Sequence, residues 1–319
     1  MNRSFFLFIA VFMVMALSNA IVPVLPSLSD DLSFQTLIFS AYFFGAMTTT
    51  LPAGVASDRY GQPLLIRISL VLTLISGILI ITLTEPVDLL IWRFIEGIGA
   101  GFFVSSALSW IGYQKDTLKN TSLFMASLNF GLLSGLIGSG WLAMVTGDIL
   151  LGTLVCTLGT GLICIMVCII TIPRLGAQDR ISAQVLVRET GSQMLRQYPL
   201  WFSVIILLGS TGYVQAVFPE LSGYPVHEVS TVLAAMNFAT IIASLGTPYL
   251  KIEPVLLIRI SALMIVPLLF SFLIAPVIIL IMGAVAGLIM VSQIGYLAHA
   301  EERQGIAMGL YSTCSYAGM

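Results

Sequence analysis

Charge is the scarcest component of this sequence. Only 9% of its 319 residues are Asp, Glu, Lys or Arg, against about 25% in ordinary soluble domains. With 58% hydrophobic residues and a mean hydropathy of +1.03, the chain has too little polar surface to stay in water. That excludes a soluble domain and leaves an integral membrane protein. The net charge of −2, with no Lys/Arg-rich tract and no zinc-finger spacing, gives no basis for a nucleic-acid partner. Histidine occurs twice and cysteine four times. Cys156, Cys164, Cys168 and Cys314 all lie in apolar runs. Cys164 and Cys168 share a helical face, but no His or acid stands near them in sequence. They read as small apolar helix residues, so no metal and no cofactor is expected. HExxH, GxSxG and phosphate-loop patterns are all missing, which argues against an enzyme.

Long apolar runs fill the rest. A helical span needs about 20 mostly apolar residues, and in lipid only a helix satisfies each amide within its own segment. Spans are expected at 5–26, 34–56, 63–83, 87–110, 120–145, 149–172, 200–219, 228–250, 254–274 and 276–298. An eleventh starts near Gly305 and is still running at Met319. Arg3 and Ser18-Asn19-Ala20 imitate a signal peptide and its cleavage site, but the apolar run continues through Val24, so an uncleaved first span is expected.

Basic residues set the orientation. With the N-terminus inside, the cytoplasmic segments hold Arg3, Arg59, Lys115, Lys119, Arg174, Arg180, Arg188, Arg196, Lys251 and Arg303. The outer connections hold Asp30, Asp31, Glu85, Asp88, Asp148, Glu220 and Glu228, and no Lys or Arg. Only Arg93 is anomalous. A multi-pass protein of the cell or inner membrane with a cytoplasmic N-terminus follows. The longest polar stretch, from Pro173 to Gln197, carries Arg180, Arg188 and Arg196 with Val185, Val187 and Leu195 between them, as in an amphipathic surface helix. It divides the chain into an N-terminal bundle (1–172), a linker (173–198) and a C-terminal bundle (199–319).

The two bundles repeat each other. The hexapeptide LLIRIS occurs at 64–69 and again 192 residues later at 256–261. At the same offset Gly54 meets Gly246 and Arg59 meets Lys251; at 186, Gly97 and Gly101 meet Gly283 and Gly287. Slowly drifting offsets are what insertions in loops would leave after a duplication.

Three motifs carry a resemblance. Gly54-Val55-Ala56-Ser57-Asp58-Arg59-Tyr60-Gly61 resembles the Gly-x-x-x-Asp-Arg-x-Gly loop of the major facilitator superfamily, with Gln62 and Pro63 where two basic residues usually follow. Arg93 to Gly99 resembles the family's Arg-x-x-x-Gly-x-Gly element. In the fifth span, Gly131, Gly135, Gly138 and Gly140 resemble the glycine motif of drug:proton antiporters, with Leu136 in place of its Pro and Ser139 in place of one Gly. The resemblance spans the whole chain. It implies an all-α membrane fold of two pseudo-symmetric six-helix bundles, here with the second bundle cut within its fifth helix, after roughly 40 fewer residues than the repeat requires.

The resemblance implies that Asp58, with Gly54, Arg59 and Gly61, latches the cytoplasmic side by facing the start of the eleventh span; a solvated loop charge is the plainer alternative. Arg93 and Glu96 lie one turn apart inside the fourth span, where charge is costly and usually functional. Arg93 snorkelling to the outer interface is the alternative. Burial favours the neutral form of Glu96 and Arg93 the charged form, so Glu96 is the candidate for reversible protonation. The fifth-span glycines are expected to pack tightly where the bundles meet. Candidate walls of a mid-membrane cavity are Asn19, Tyr42, Asn129, Phe130, Tyr213, Gln215, Asn237 and Gln293, each of which would serve equally as a packed helix contact. Their shortage of fixed charge favours neutral or lipophilic cargo. The expectation is a monomeric, proton-coupled exporter of small compounds working by alternating access. A metabolite facilitator or importer, and a non-transporting sensor or inactive fragment, are the alternatives.

Overall fold

The structure is a computed structural model that describes residues 3–28, 32–83, 85–170, 172–176, 183–222, 224 and 226–319. Asp30, Asp31 and Arg180 lie outside the described residues, as do the side chains of Arg3, Glu220 and Glu228. Among the described residues the chain is all helical, without a strand.

The first expected span is not one helix. α1 (Arg3–Ala20) gives way to a 3-10 turn (Val22–Val24) and a short α2 (Leu25–Leu28), because Pro23 and Pro26 supply no amide donor to continue the ladder. Then follow α3 (Leu32–Tyr60), α4 (Gln62–Thr82), α5 (Pro86–Gly112), α6 (Thr117–Thr146) and α7 (Leu151–Ile169). α4 and α5 carry proline in the first helical positions, where the missing amide costs nothing. Gly147, at φ +75°, ends α6 in the left-handed conformation that glycine adopts without strain. The polar linker contains α8 (Ala183–Arg196). The rest comprises α9 (Tyr198–Leu221), α10 (Val226–Gly246) with a 3-10 extension (Thr247–Tyr249), α11 (Pro254–Ser271), α12 (Pro276–Ala300) and α13 (Gln304–Gly318).

Eight of these helices are long and apolar enough to cross a membrane by length and composition. α5, at 27 residues, is also long enough but carries Asp88, Arg93 and Glu96. Large apolar side chains such as Phe44, Trp141, Leu162 and Phe270 are exposed on the outer faces, as lipid-facing surfaces require.

α5 packs on α3 and α4, and α1 on α6 and α7; in the second half α12 packs on α10 and α11. The halves meet where α13 crosses α3 and α5 and where α6 crosses α10. The repeat seen in sequence is a repeat of backbone contacts. A Cβ on Gly97 would overlap the carbonyl of Tyr42, and one on Gly283 the carbonyl of Met236. Gly101 sits against Ala46 as Gly287 sits against Thr240. Small residues at such crossings let two helices approach backbone to backbone.

Candidate functional site

Two polar sites break the apolar interior. The first lies at the end of α3. Gly61, at φ +95°, turns the chain sharply into α4, a conformation that a side chain would strain. This turn leaves Asp58 on the last turn of α3, 7% exposed. Its carboxylate accepts hydrogen bonds from the backbone amides of Gly305 (2.9 Å) and Ile306 (3.0 Å) in the first turn of α13. Those amides have no partner within their own helix, and the helix dipole adds to the attraction for a negative charge. Asp58 is therefore not a solvated loop charge; it caps the start of α13. Tyr113 closes over it, its hydroxyl accepting from the Gln304 amide at 3.4 Å. Burial, and then the charge of Asp58, push the Tyr113 phenol up to about 12, so it stays a neutral hydroxyl.

The approach of α3 to α13 depends on three glycines. A Cβ on Gly54 would overlap the carbonyl of Gly305, and one on Gly305 would overlap both Gly54 and Asp58. Gly309 lies against Gly54 and Thr50, and the Thr50 and Thr313 hydroxyls bond at 2.6 Å one turn further along. Gly305 and Gly309 have the spacing of a GxxxG pair, a sequence signal for close helix approach that the reading of the motifs passed over.

Arg59 points elsewhere. Its guanidinium lies over the Tyr60 ring at 5.2 Å and is exposed. The base that serves this turn is Arg174, which donates to the carbonyls of Asp58 (3.3 Å) and Arg59 (3.1 Å). Gln62 stands where the motif usually turns basic. It is buried and exchanges hydrogen bonds with the backbone of Leu175, donating at 3.0 Å and accepting at 3.3 Å. α8 is tied to the same face through ion pairs from Glu189 to Arg303 and from Arg196 to Glu301. Leu186 is its buried anchor, whereas Val185, Val187 and Leu195 are exposed.

The second site lies inside the first half. Arg93 and Glu96 are each 1% exposed. The guanidinium donates to Glu96 at 2.5 Å and to the Ser18 carbonyl at 2.9 Å, and it lies 4.8 Å from the centre of the Tyr42 ring. Arg93 therefore does not snorkel; it joins α1, α3 and α5. The Arg-x-x-x-Gly spacing acquires a physical reason here. Arg93 covers the ring of Tyr42 while Gly97, one turn on, fits against its carbonyl. One carboxylate oxygen of Glu96 and Nε of Arg93 are buried without a hydrogen-bond partner among the described residues. Burying such atoms without a partner is costly, and each calls for an explanation.

The glycines of α6 do not serve the boundary between halves as expected. Gly131 fits against the Phe12 carbonyl and Gly135 against the Ala16 carbonyl, so both seat α6 on α1 within the first half. Gly138 faces open space, and Gly140 makes only ordinary contact with Pro23. Where α6 does meet the second half, Ser122 donates to the Ser244 carbonyl at 2.5 Å.

The eight cavity candidates make separate contacts. Tyr42 is buried beneath Arg93. Asn129 and Asn237 bond to carbonyls of their own helices, Met125 at 2.8 Å and Leu233 at 3.1 Å. Asn19 donates to Leu132 at 3.1 Å, and Gln293 donates to Ser203 at 3.1 Å within the second half. Tyr213 is exposed, edge-on to Phe272, and Gln215 is exposed. Phe130 faces Phe12 at 5.4 Å in a groove between α1 and α6.

The paired helical halves and the acid-to-helix contact between them define a multi-pass membrane transporter. Residues 7–319 match the family model of the Major Facilitator Superfamily, and the chain belongs to that family. Solved structures agree on the fold. The human organic anion transporter MFSD10 (TETRAN) superimposes with a TM-score of 0.83 at 12% identity, covering 100% of this chain and 92% of its own. The transporter FucP in its outward conformation gives 0.75 at 16% identity, covering 99% and 89%. A variant of the E. coli fucose:proton symporter FucP gives 0.77 at 14% identity, covering 98% and 88%. No curated protein sequence matches the chain.

Proposed function

We propose that this transporter couples proton movement to the efflux of small lipophilic or neutral compounds by alternating access. The observation that carries the reading is the buried Arg93–Glu96 pair with one carboxylate oxygen left unpartnered. A buried carboxylate beside a base can change its protonation with a small rearrangement, and ionisable groups inside a span usually mark ion pathways. The Asp58 contact with α13 holds one face of the molecule shut, and its release would accompany opening on that face. The asymmetry of basic residues supports a cytoplasmic N-terminus, with the α3–α4 turn and α8 on the same side, in a cell or inner membrane. The division into 1–172, 173–198 and 199–319, and action as a monomer, complete this reading.

Transport in proteoliposomes under an imposed pH gradient tests it. Glu96→Gln keeps the shape and removes the titrating group, so gradient-driven transport is expected to fall at least about a hundredfold, the scale on which proton-transfer groups matter. Full retention would end the proton-coupling assignment. A proton-coupled importer is the second reading, favoured by the fold shared with a fucose:proton symporter. Reversing the gradient separates the two.

A further inference from the structure

A groove of about 860 Å³ runs between α1 and α6, and none of Asp58, Tyr113, Arg93 and Glu96 lines it. Its wall is aromatic: Phe5, Phe8 and Phe12 from α1, and Phe130 from α6. Its mouth is basic, with Lys115 and Lys119 both exposed at the start of α6. Every lining residue belongs to α1, to α6 or to the turn before α6. None comes from the second half, so the groove opens outward and not between the halves. From Phe5 to Met13 it follows α1 for about 12 Å, at 1.5 Å per residue. Neither lysine is paired with an acid among the described residues. Asp116 shares the mouth, leaving a net single positive charge. The Asn120 amide donates to Gln114 at 2.6 Å and braces the turn that carries the lysines.

We propose that this groove is a binding site for one anionic phospholipid of the cytoplasmic leaflet, its headgroup at Lys115 and Lys119 and an acyl chain along Phe5, Phe8, Phe12 and Phe130. The occupant follows from complementarity. A free phosphate would use the lysines and leave the aromatic wall unused, and a zwitterionic lipid would gain little from two ammoniums beside one carboxylate. Basic pockets between spanning helices on the cytoplasmic side suit acidic headgroups. The leaflet named rests on the orientation proposed above; the site itself does not.

Native mass spectrometry of the detergent-solubilised protein, titrated with phosphatidylglycerol, phosphatidylcholine or inorganic phosphate, tests the site. A micelle has no inside or outside, so the result stands apart from orientation, which impermeant labelling of a Lys115→Cys variant reads separately. One phosphatidylglycerol is expected to bind in preference to phosphatidylcholine. A K115Q/K119Q variant should lose that preference by about 25-fold, at about fivefold for each basic residue near the headgroup. K115R/K119R should keep it. Ser127→Trp, which fills the groove and leaves both lysines, should also abolish it, while Lys251→Gln should leave it intact. The proposal is overturned if K115Q/K119Q or Ser127→Trp binds phosphatidylglycerol as the unmodified protein does. Displacement of the lipid by inorganic phosphate, or equal loss in Lys251→Gln, would overturn it as well.

Discussion

The two halves pack alike and are charged differently. α5 rests on α3 through Gly97 and Gly101, and α12 rests on α10 through Gly283 and Gly287; a backbone carbonyl receives the closest approach at Gly97, Gly283 and Gly287, and the Thr49 hydroxyl at Gly101. Yet the positions that hold Arg93 and Glu96 in the first half hold Ile279 and Met282 in the second, both fully buried. The same crossing is thus built once around an ion pair and once around aliphatic side chains. Packing does not require the charges. Desolvating two ions offsets most of what their attraction returns, so hydrophobic replacements of similar size are often neutral or stabilising.

Copying the second half into the first is the strongest way to break that comparison. An Arg93→Ile, Glu96→Met variant should fold with a thermal midpoint no lower than the parent and carry no gradient-driven transport, measured by unfolding in detergent and by proteoliposome uptake. A lower midpoint would show that the pair holds the fold together after all. Arg93→Ile alone should be far worse for stability, by about 3–5 kcal/mol, because Glu96 is left buried without its partner. It also removes the donor to the Ser18 carbonyl. The double variant regaining stability over the single would sharpen the assignment of the pair to function.

The loops after α3 and α10 differ in the same sense. α3 stays helical to Tyr60 and turns at Gly61, which keeps Asp58 buried against α13. α10 ends at Gly246, continues as a 3-10 turn and reverses at Lys251, the one non-glycine residue with positive φ among those described. Leu250, which occupies the repeat position of Asp58, is 45% exposed. Among the described residues, the turn after α3 therefore holds a charged cap for a helix of the other half, and the turn after α10 does not. Asp58→Asn retains the size but weakens two charge-assisted hydrogen bonds, each worth about 1.5–3 kcal/mol at most. A loss of that order should shift the closed-to-open population at least about tenfold. Maleimide labelling of Cys314, in a background where it is the sole cysteine, should accelerate accordingly; an unchanged rate would remove Asp58 from the latch.

The helices were legible because lipid imposes length and apolarity on each span, and that constraint is written in residue types. The ion pair was legible for the same reason, since charge inside an apolar run stands out. What stayed hidden depends on backbone. The Ser18 carbonyl that holds Arg93, and the Phe12 and Ala16 carbonyls that receive Gly131 and Gly135, leave no mark in their own side chains. A glycine reports that something comes close, not which helix it is, so the α6 glycines were assigned to the wrong neighbour. The first span was read as continuous because hydropathy ignores the donors that Pro23 and Pro26 remove. Arg174 was missed as the cap of α3 because it lies more than a hundred residues away in sequence.

The finest version of the comparison lies in one repeated glycine. Gly54 and Gly246 occupy equivalent positions, but a Cβ on Gly54 would overlap the Gly305 backbone, whereas one on Gly246 would meet nothing within 4 Å. Gly246 also has an ordinary right-handed helical conformation, φ −74° and ψ −28°. Opposite signs follow. Gly54→Ala should destabilise by about 1–3 kcal/mol, because backbone cannot yield as a side chain can. Gly246→Ala should stabilise by about 0.4–1 kcal/mol, through the freedom that glycine gives the unfolded chain. Thermal unfolding of both variants in one detergent decides the matter. Equal signs would mean that the α3–α13 contact is no tighter than its repeat counterpart, and that the asymmetry assigned to the latch is not built into the backbone.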